Sequence, residues 1–173
     1  MSIVYNEIIL SESAFFHMVT SAMEVYRKEV IGILISTSSA EGNTCHVKYA
    51  IPQQEAVRKF TWAIITNTEQ KLKDTIENMN AALSTKNKIV GYFHSHTDFA
   101  DVRAIPEPSK LDLKSFSEPN IHIIIAINHA SKTYQWLENT DGTLSGTVGK
   151  YHIKLQGYLF SNKKSKHLPI KLS

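Results

Sequence analysis

An apolar run, Ile89-Val90-Gly91-Tyr92-Phe93, ends in His94-Ser95-His96, and after a loop the chain reads Pro108-Ser109-Lys110-Leu111-Asp112. A short run of β-branched and aromatic residues specifies a strand, and the two-residue period of a strand turns both imidazoles to one face. Placed so, they can share a metal ion. Ser109-x-x-Asp112 has the form of a helix capping box, with Ser109 as the cap and Asp112 in the first turn. A carboxylate there would add a third ligand of the kind zinc accepts and leave the fourth position of a tetrahedron open to water. That is the pattern of a catalytic site, not a closed structural one. Each piece alone also has a plain structural reading, as strand histidines bonded to backbone or as a helix cap.

Glu29 adds the element that the other pieces lack. It lies in Tyr26-Arg27-Lys28-Glu29-Val30-Ile31-Gly32-Ile33-Leu34-Ile35, where a helical pattern gives way to a β-branched run. Taken alone it reads as a solvated helix-end charge. Glu29-x-x-Gly32-x-Leu34, then His94-x-His96, then Ser109-x-x-Asp112, in that order, resemble the JAMM (MPN+) zinc metalloprotease signature, over a span from Glu29 to Phe116. The resemblance implies a cytidine-deaminase-like α/β fold, a mixed β-sheet flanked by helices. It also implies one zinc ion per chain on His94, His96 and Asp112. Glu29 would be the catalytic proton carrier and Ser109 the catalytic support for an oxyanion.

The activity implied is hydrolysis of peptide or isopeptide bonds at the C-terminus of ubiquitin or a ubiquitin-like protein, in conjugates or precursors, with a partner subunit possible. The loop 97–108 is longer than the family usually has, and Thr97 stands where proline is common. Two other readings are kept. One is an inert or gated MPN-type scaffold that binds ubiquitin-like proteins. The other is a metallo-β-lactamase-like hydrolase, since His94-x-His96-x-Asp98 resembles the start of that motif, although Phe99 occupies the place of its closing histidine.

The chain has 173 residues, 42% of them hydrophobic, enough for a core of its own, and no shift in composition divides it. A single domain over 1–173 is expected. Net charge is +3, without the concentrated basic footprint of a nucleic-acid binder, and Lys163-Lys164-Ser165-Lys166-His167 reads as a solvated tail. Cys45 is the only cysteine, so an intrachain disulfide and a cysteine-based zinc knot are both excluded, and it reads as a buried strand thiol. No basic leader and no run of about 18 apolar residues is present, so a cytoplasmic protein that does not engage membranes is expected.

Strands are predicted over 3–10, 30–36, 44–51, 58–65 (with Phe60 and Trp62 packing), 89–96, 121–127, 133–137 and 151–160. The strand 133–137 is expected to pair with 121–127, and 151–160 to be the last. Helices are predicted from Ser11 or Ser13 to Lys28, from Asn67 through Leu72, Ile76, Met79 and Leu83, and over 109–116. Phe15, Val19, Met23 and Tyr26 would form the first helix's apolar stripe. His46 is expected to face solvent, and His122 and His129 to be structural.

Overall fold

The structure, a computed structural model, describes residues 5–37, 43–54, 57–58, 63–64, 68–115, 120–161 and 163–173. In chain order the elements are β1 (Glu7–Leu10), α1 (Glu12–Glu24), β2 (Ile31–Thr37), β3 (Thr44–Pro52), β4 (Val57–Arg58), β5 (Ala63–Ile64), α2 (Thr68–Leu83), β6 (Asn87–Thr97), α3 (Lys110–Ser115), β7 (Asn120–His129), β8 (Leu137–Glu138), β9 (Leu144–Val148), β10 (Tyr151–Ser161), β11 (Lys164–Leu168) and β12 (Ile170–Leu172). All strands except β4 and β5 belong to one mixed sheet in the order β12-β1-β3-β2-β6-β7-β10-β9-β8, with β11 also on β10.

The centre of that sheet is the parallel pair β6 and β7. Ile121, Ile123, Ile124, Ile125 and Ile127 of β7 are fully buried, so both faces of the strand are covered. Burying each isoleucine contributes about 1.5–3 kcal/mol, and a continuous apolar run rather than an alternating one is what a central parallel strand requires. Gly91 of β6 lies beside Ile121, and a Cβ there would stand 1.8 Å from the Ile121 carbonyl oxygen. Only glycine lets the two backbones meet this closely.

Ser11 caps α1 by accepting the Ala14 N–H at 3.1 Å. Ala14, Met18 and Ala22 then recur at helical spacing, fully buried in a cluster with Leu34 and Phe93. α2 lies on the other face, where Leu72 and Ile76 pack against Ile33, Ile35 and Tyr92. Because alternate residues of β2 point to opposite faces, one strand serves both helices. Beyond this central strip the sheet curls and packs on itself. A Cβ on Gly157 of β10 would meet Ile8 Cδ1 at 2.7 Å and Ile170 Cγ1 at 3.1 Å, so β10 faces β1 and β12. The mixed sheet agrees with expectation, whereas the flanking by helices is confined to the strip around β2 and β6 in a sheet that is close to a barrel.

Several elements differ from the sequence reading. α1 ends at Glu24, not Lys28: the Val25 N–H bonds back to Ser21 O, and Arg27 takes a left-handed φ of 76°. Met79 and Leu83 of α2 are exposed, so only the first half of the anticipated stripe packs. The expected strand 58–65 is instead a pair of short strands, β4 and β5, turned against each other, while Phe60 and Trp62 lie outside the described residues, as do Asn67, Phe116 and the start of the first expected strand. The segment 133–137 does not pair with β7. β7 is flanked by β6 and β10, and Leu137 joins β8, which pairs with β9.

β10 is not the last strand. The lysine-rich stretch continues as β11 antiparallel to it, and β12 returns to lie parallel to β1. His46 is exposed and Cys45 buried, as expected. His122 is fully buried with its ring stacked on Phe160 at 4.1 Å. None of the helices among the described residues is long and apolar enough to cross a membrane.

Candidate metal centre

β6 and β7 run parallel and are joined through α3, so the polypeptide must leave the C-terminal end of β6 and cross the sheet before returning. That end is where such units place ligands. His94 and His96 stand there, opposite Ile124 and Ala126. α3 is too short to be held by its own hydrogen bonds and is anchored through Leu113, which packs on Ile124, Tyr158 and Phe160. The residue before that anchor is Asp112, and its carboxylate is thereby turned toward the imidazoles.

The result is a tight cluster of His94, His96 and Asp112, whose donor atoms lie within 4.8 Å of one another. His94 Nε2 and His96 Nε2 are 3.2 Å apart, Asp112 Oδ1 is 3.5 Å from the first, and Oδ2 is 3.7 Å from the second. For an ion bound tetrahedrally at about 2.0–2.2 Å, neighbouring ligand atoms stand about 3.3–3.6 Å apart. The three observed separations lie within about 0.1 Å of that range, so the donors fit zinc with little adjustment. The orientation of His96 fits as well, for its Nδ1 lies 2.9 Å from the Ile105 carbonyl oxygen. A carbonyl can only accept, so the ring proton sits on Nδ1 and the Nε2 lone pair faces the cluster.

Burial lowers the pKa of His94 and favours the neutral imidazole, against the pull of Asp112. In His96 burial acts in the same direction but is outweighed by Asp112, the Ile105 carbonyl and the nearby charge of Glu29, and its pKa is raised. Burial would raise the Asp112 carboxyl too. The two imidazoles and Ser109 more than offset it and hold the group well below the ordinary carboxylate range. At neutral pH the cluster offers an ionised carboxylate and a His94 held neutral.

Glu29 is half-buried and precedes β2, close enough for its charge to act on His96. Its place is fixed by the next residue. Val30 donates its N–H to Ser95 Oγ at 2.9 Å, and Ser95 donates its own N–H to the Val30 carbonyl at 3.1 Å. Ser95 therefore couples the Glu29 segment to the strand that carries both histidines. Sequence reasoning gave it no role, although a serine between two histidines on a strand must face the opposite side, toward the core.

Ser109 is the N-cap of α3. Its N–H donates to Asp112 Oδ2 at 2.6 Å, and its Oγ accepts the Asp112 N–H at 3.2 Å. The capping box is thus present, and the same carboxylate serves helix and cluster.

Asp98 does not join the cluster. It accepts from Tyr26 Oη and from the N–H and Nδ1 of His129, tying the end of β6 to the residues after α1 and to the end of β7. Among the described residues the group of potential metal ligands consists of His94, His96 and Asp112, and the order His-x-His-x-Asp in the sequence does not become a shared site. The loop that follows is held at residues 104–106. Asn128 bonds both backbone groups of Ala104, His96 holds Ile105, and Tyr158 Oη donates to the Pro106 carbonyl at 2.9 Å. Its apolar side chains Phe99, Val102 and Ile105 nonetheless point outward and are more than half exposed.

Residues 11–138 match the family described as prokaryotic homologs of the JAB domain. The fold is similar to the solution structure of protein DSY2949 from Desulfitobacterium hafniense, with a TM-score of 0.63 and 17% identity over 96% of this chain and 92% of that one. No curated protein matches. With that match covering most of the chain and the ligand cluster in place, the chain belongs to the prokaryotic JAB family within the JAMM/MPN group.

Proposed function

We propose that this chain is a zinc-dependent peptidase or isopeptidase acting at the C-terminus of ubiquitin or a ubiquitin-like protein, in conjugates or precursors. The observation that carries the reading is the convergence of His94, His96 and Asp112 at zinc-like separations with Glu29 beside His96. A zinc ion held by His94, His96 and Asp112 would supply Lewis acidity and make water acidic enough to act as a nucleophile near neutral pH.

The chain's own residues do the rest. Glu29 accepts the proton of the attacking water and delivers it to the departing amine, so one carboxylate is base and then acid. Ser109 turns its hydroxyl to the oxyanion that forms at the scissile carbonyl, and removing one such donor typically costs about 2.7–4 kcal/mol of barrier. The loop, held at Ala104 and Ile105, presents Phe99, Val102 and Ile105 to the polypeptide substrate.

Glu29→Gln separates the two roles. Zinc content should remain at one per chain, while cleavage of linear and lysine-linked conjugates of ubiquitin-like proteins should be lost. Turnover retained in that variant rules the assignment out.

A further inference from the structure

We propose that Asn128 is a positioning residue for the metal centre, acting on His96 through the loop backbone. The inference rests on the reading of His94, His96 and Asp112 as metal ligands. Asn128 lies at the end of β7 and is 5% exposed. β6 ends at Thr97, paired with Ile127, and the loop that follows comes back to the end of β7 at Ala104. The side-chain amide of Asn128 holds it there. Its Oδ1 accepts the Ala104 N–H at 2.8 Å, and its Nδ2 donates to the Ala104 carbonyl at 3.0 Å.

Fixing both polar groups of Ala104 leaves the next peptide little freedom. That peptide carries the Ile105 carbonyl, which accepts from His96 Nδ1 at 2.9 Å. On the far side the Pro106 carbonyl is held by Tyr158. Three successive carbonyls are therefore gripped from β7, β6 and β10, and the central one decides which nitrogen of His96 carries the proton. Tyr158 also packs beside Leu113, the anchor of α3, so the same corner sets Asp112. A buried asparagine whose only task was to satisfy a loop would not need to grip the residue next to the one that orients a ligand.

The test uses the intact chain. In zinc-free protein, at a pH where the spectrum itself shows the ring to be neutral, nitrogen-15 NMR of His96 should show the Nδ1–H tautomer. Asn128→Ala should give a mixture of tautomers, and its affinity for Zn2+, measured by competition with a chelating dye, should fall about 10–100-fold, the usual effect of losing support behind a metal-binding histidine. Asn128→Asp, which can accept from Ala104 but not donate to it, should move both readouts in the same direction and guards against loss of folding in the alanine variant.

A single unchanged tautomer with wild-type zinc affinity in the folded variants overturns the proposal, even if thermal stability drops. So does a wild-type His96 that carries its proton on Nε2. If the wild-type chain bound no zinc, the proposed function and the metal-positioning role would both fall, whereas zinc bound by the wild type with an unaltered ring in the variants would overturn the role of Asn128 alone.

Discussion

Ser95→Ala tests how the site is joined to the fold. Ser95 and Val30 are both buried, and Ser95 Oγ is the acceptor for the Val30 N–H at 2.9 Å. Alanine fits the space but leaves that N–H without its acceptor in a dry environment, which costs about 1–3 kcal/mol. For a domain of this length each kcal/mol lowers the melting temperature by about 2–4 °C, so a drop of about 2–12 °C is expected. Calorimetry and urea denaturation measure it.

The functional consequence should be separable. His94 and His96 keep their strand pairing and should bind zinc as before, whereas Glu29, one residue from the lost bond, loses its fixed position, and hydrolysis should fall while zinc occupancy does not. Ser95→Cys, with a weak acceptor of similar size, should lie between the two. A Ser95→Ala protein as stable as wild type and fully hydrolytic would refute the argument.

Gly91→Ala would drive a Cβ into the Ile121 backbone, and the cost should reach the upper end of overpacking penalties, about 3 kcal/mol, seen as a matching fall in unfolding free energy. Burial holds the His122 imidazole at about 3. The unfolded chain takes up a proton near pH 6.5 that the folded chain refuses, so this stabilisation is complete above that pH and is lost as pH falls toward 3. The loss reaches about 2 kcal/mol by pH 5. His122→Phe should remove that part of the pH dependence in denaturation curves at pH 5 and 7.5. Phe99→Ser and Val102→Ser should raise KM for a polypeptide substrate about tenfold with kcat unchanged, because they remove binding that ground state and transition state share; an unchanged KM would mean that the loop does not touch the substrate.

The parts of the site that were legible in the sequence are those that a period dictates. Two histidines on one strand must share a face, and Ser109-x-x-Asp112 must close a capping box if a helix follows, but it was the resemblance to the JAMM signature that joined His94, His96, Asp112 and Glu29 on paper. What supports them could not be read, because it comes from long-range partners that leave no local pattern. Asn128 looks like the polar end of an apolar strand, and Ile105 acts through its carbonyl, which every residue has.

The same limit explains the fold errors. Leu144-Ser145-Gly146-Thr147-Val148 is too polar to announce a strand, yet the Asp141-Gly142 turn, with Gly142 at a φ of 80°, folds it onto Leu137 and Glu138. The lysines of β11 face solvent on an outer strand, where charge is tolerated and even useful against edge-to-edge association, so a true strand carried the composition of a tail. The sheet's closure was invisible because it depends on Gly157 admitting Ile8 and Ile170, residues from opposite ends of the chain.

The claim on which the rest depends is that one zinc ion sits among three side chains brought together from β6 and α3. Crystals of the zinc-loaded protein, measured at the zinc absorption edge, should give a single anomalous peak about 2.0–2.2 Å from His94 Nε2, His96 Nε2 and an Asp112 carboxylate oxygen. A peak elsewhere on the chain, or none between the two imidazoles, would contradict the account.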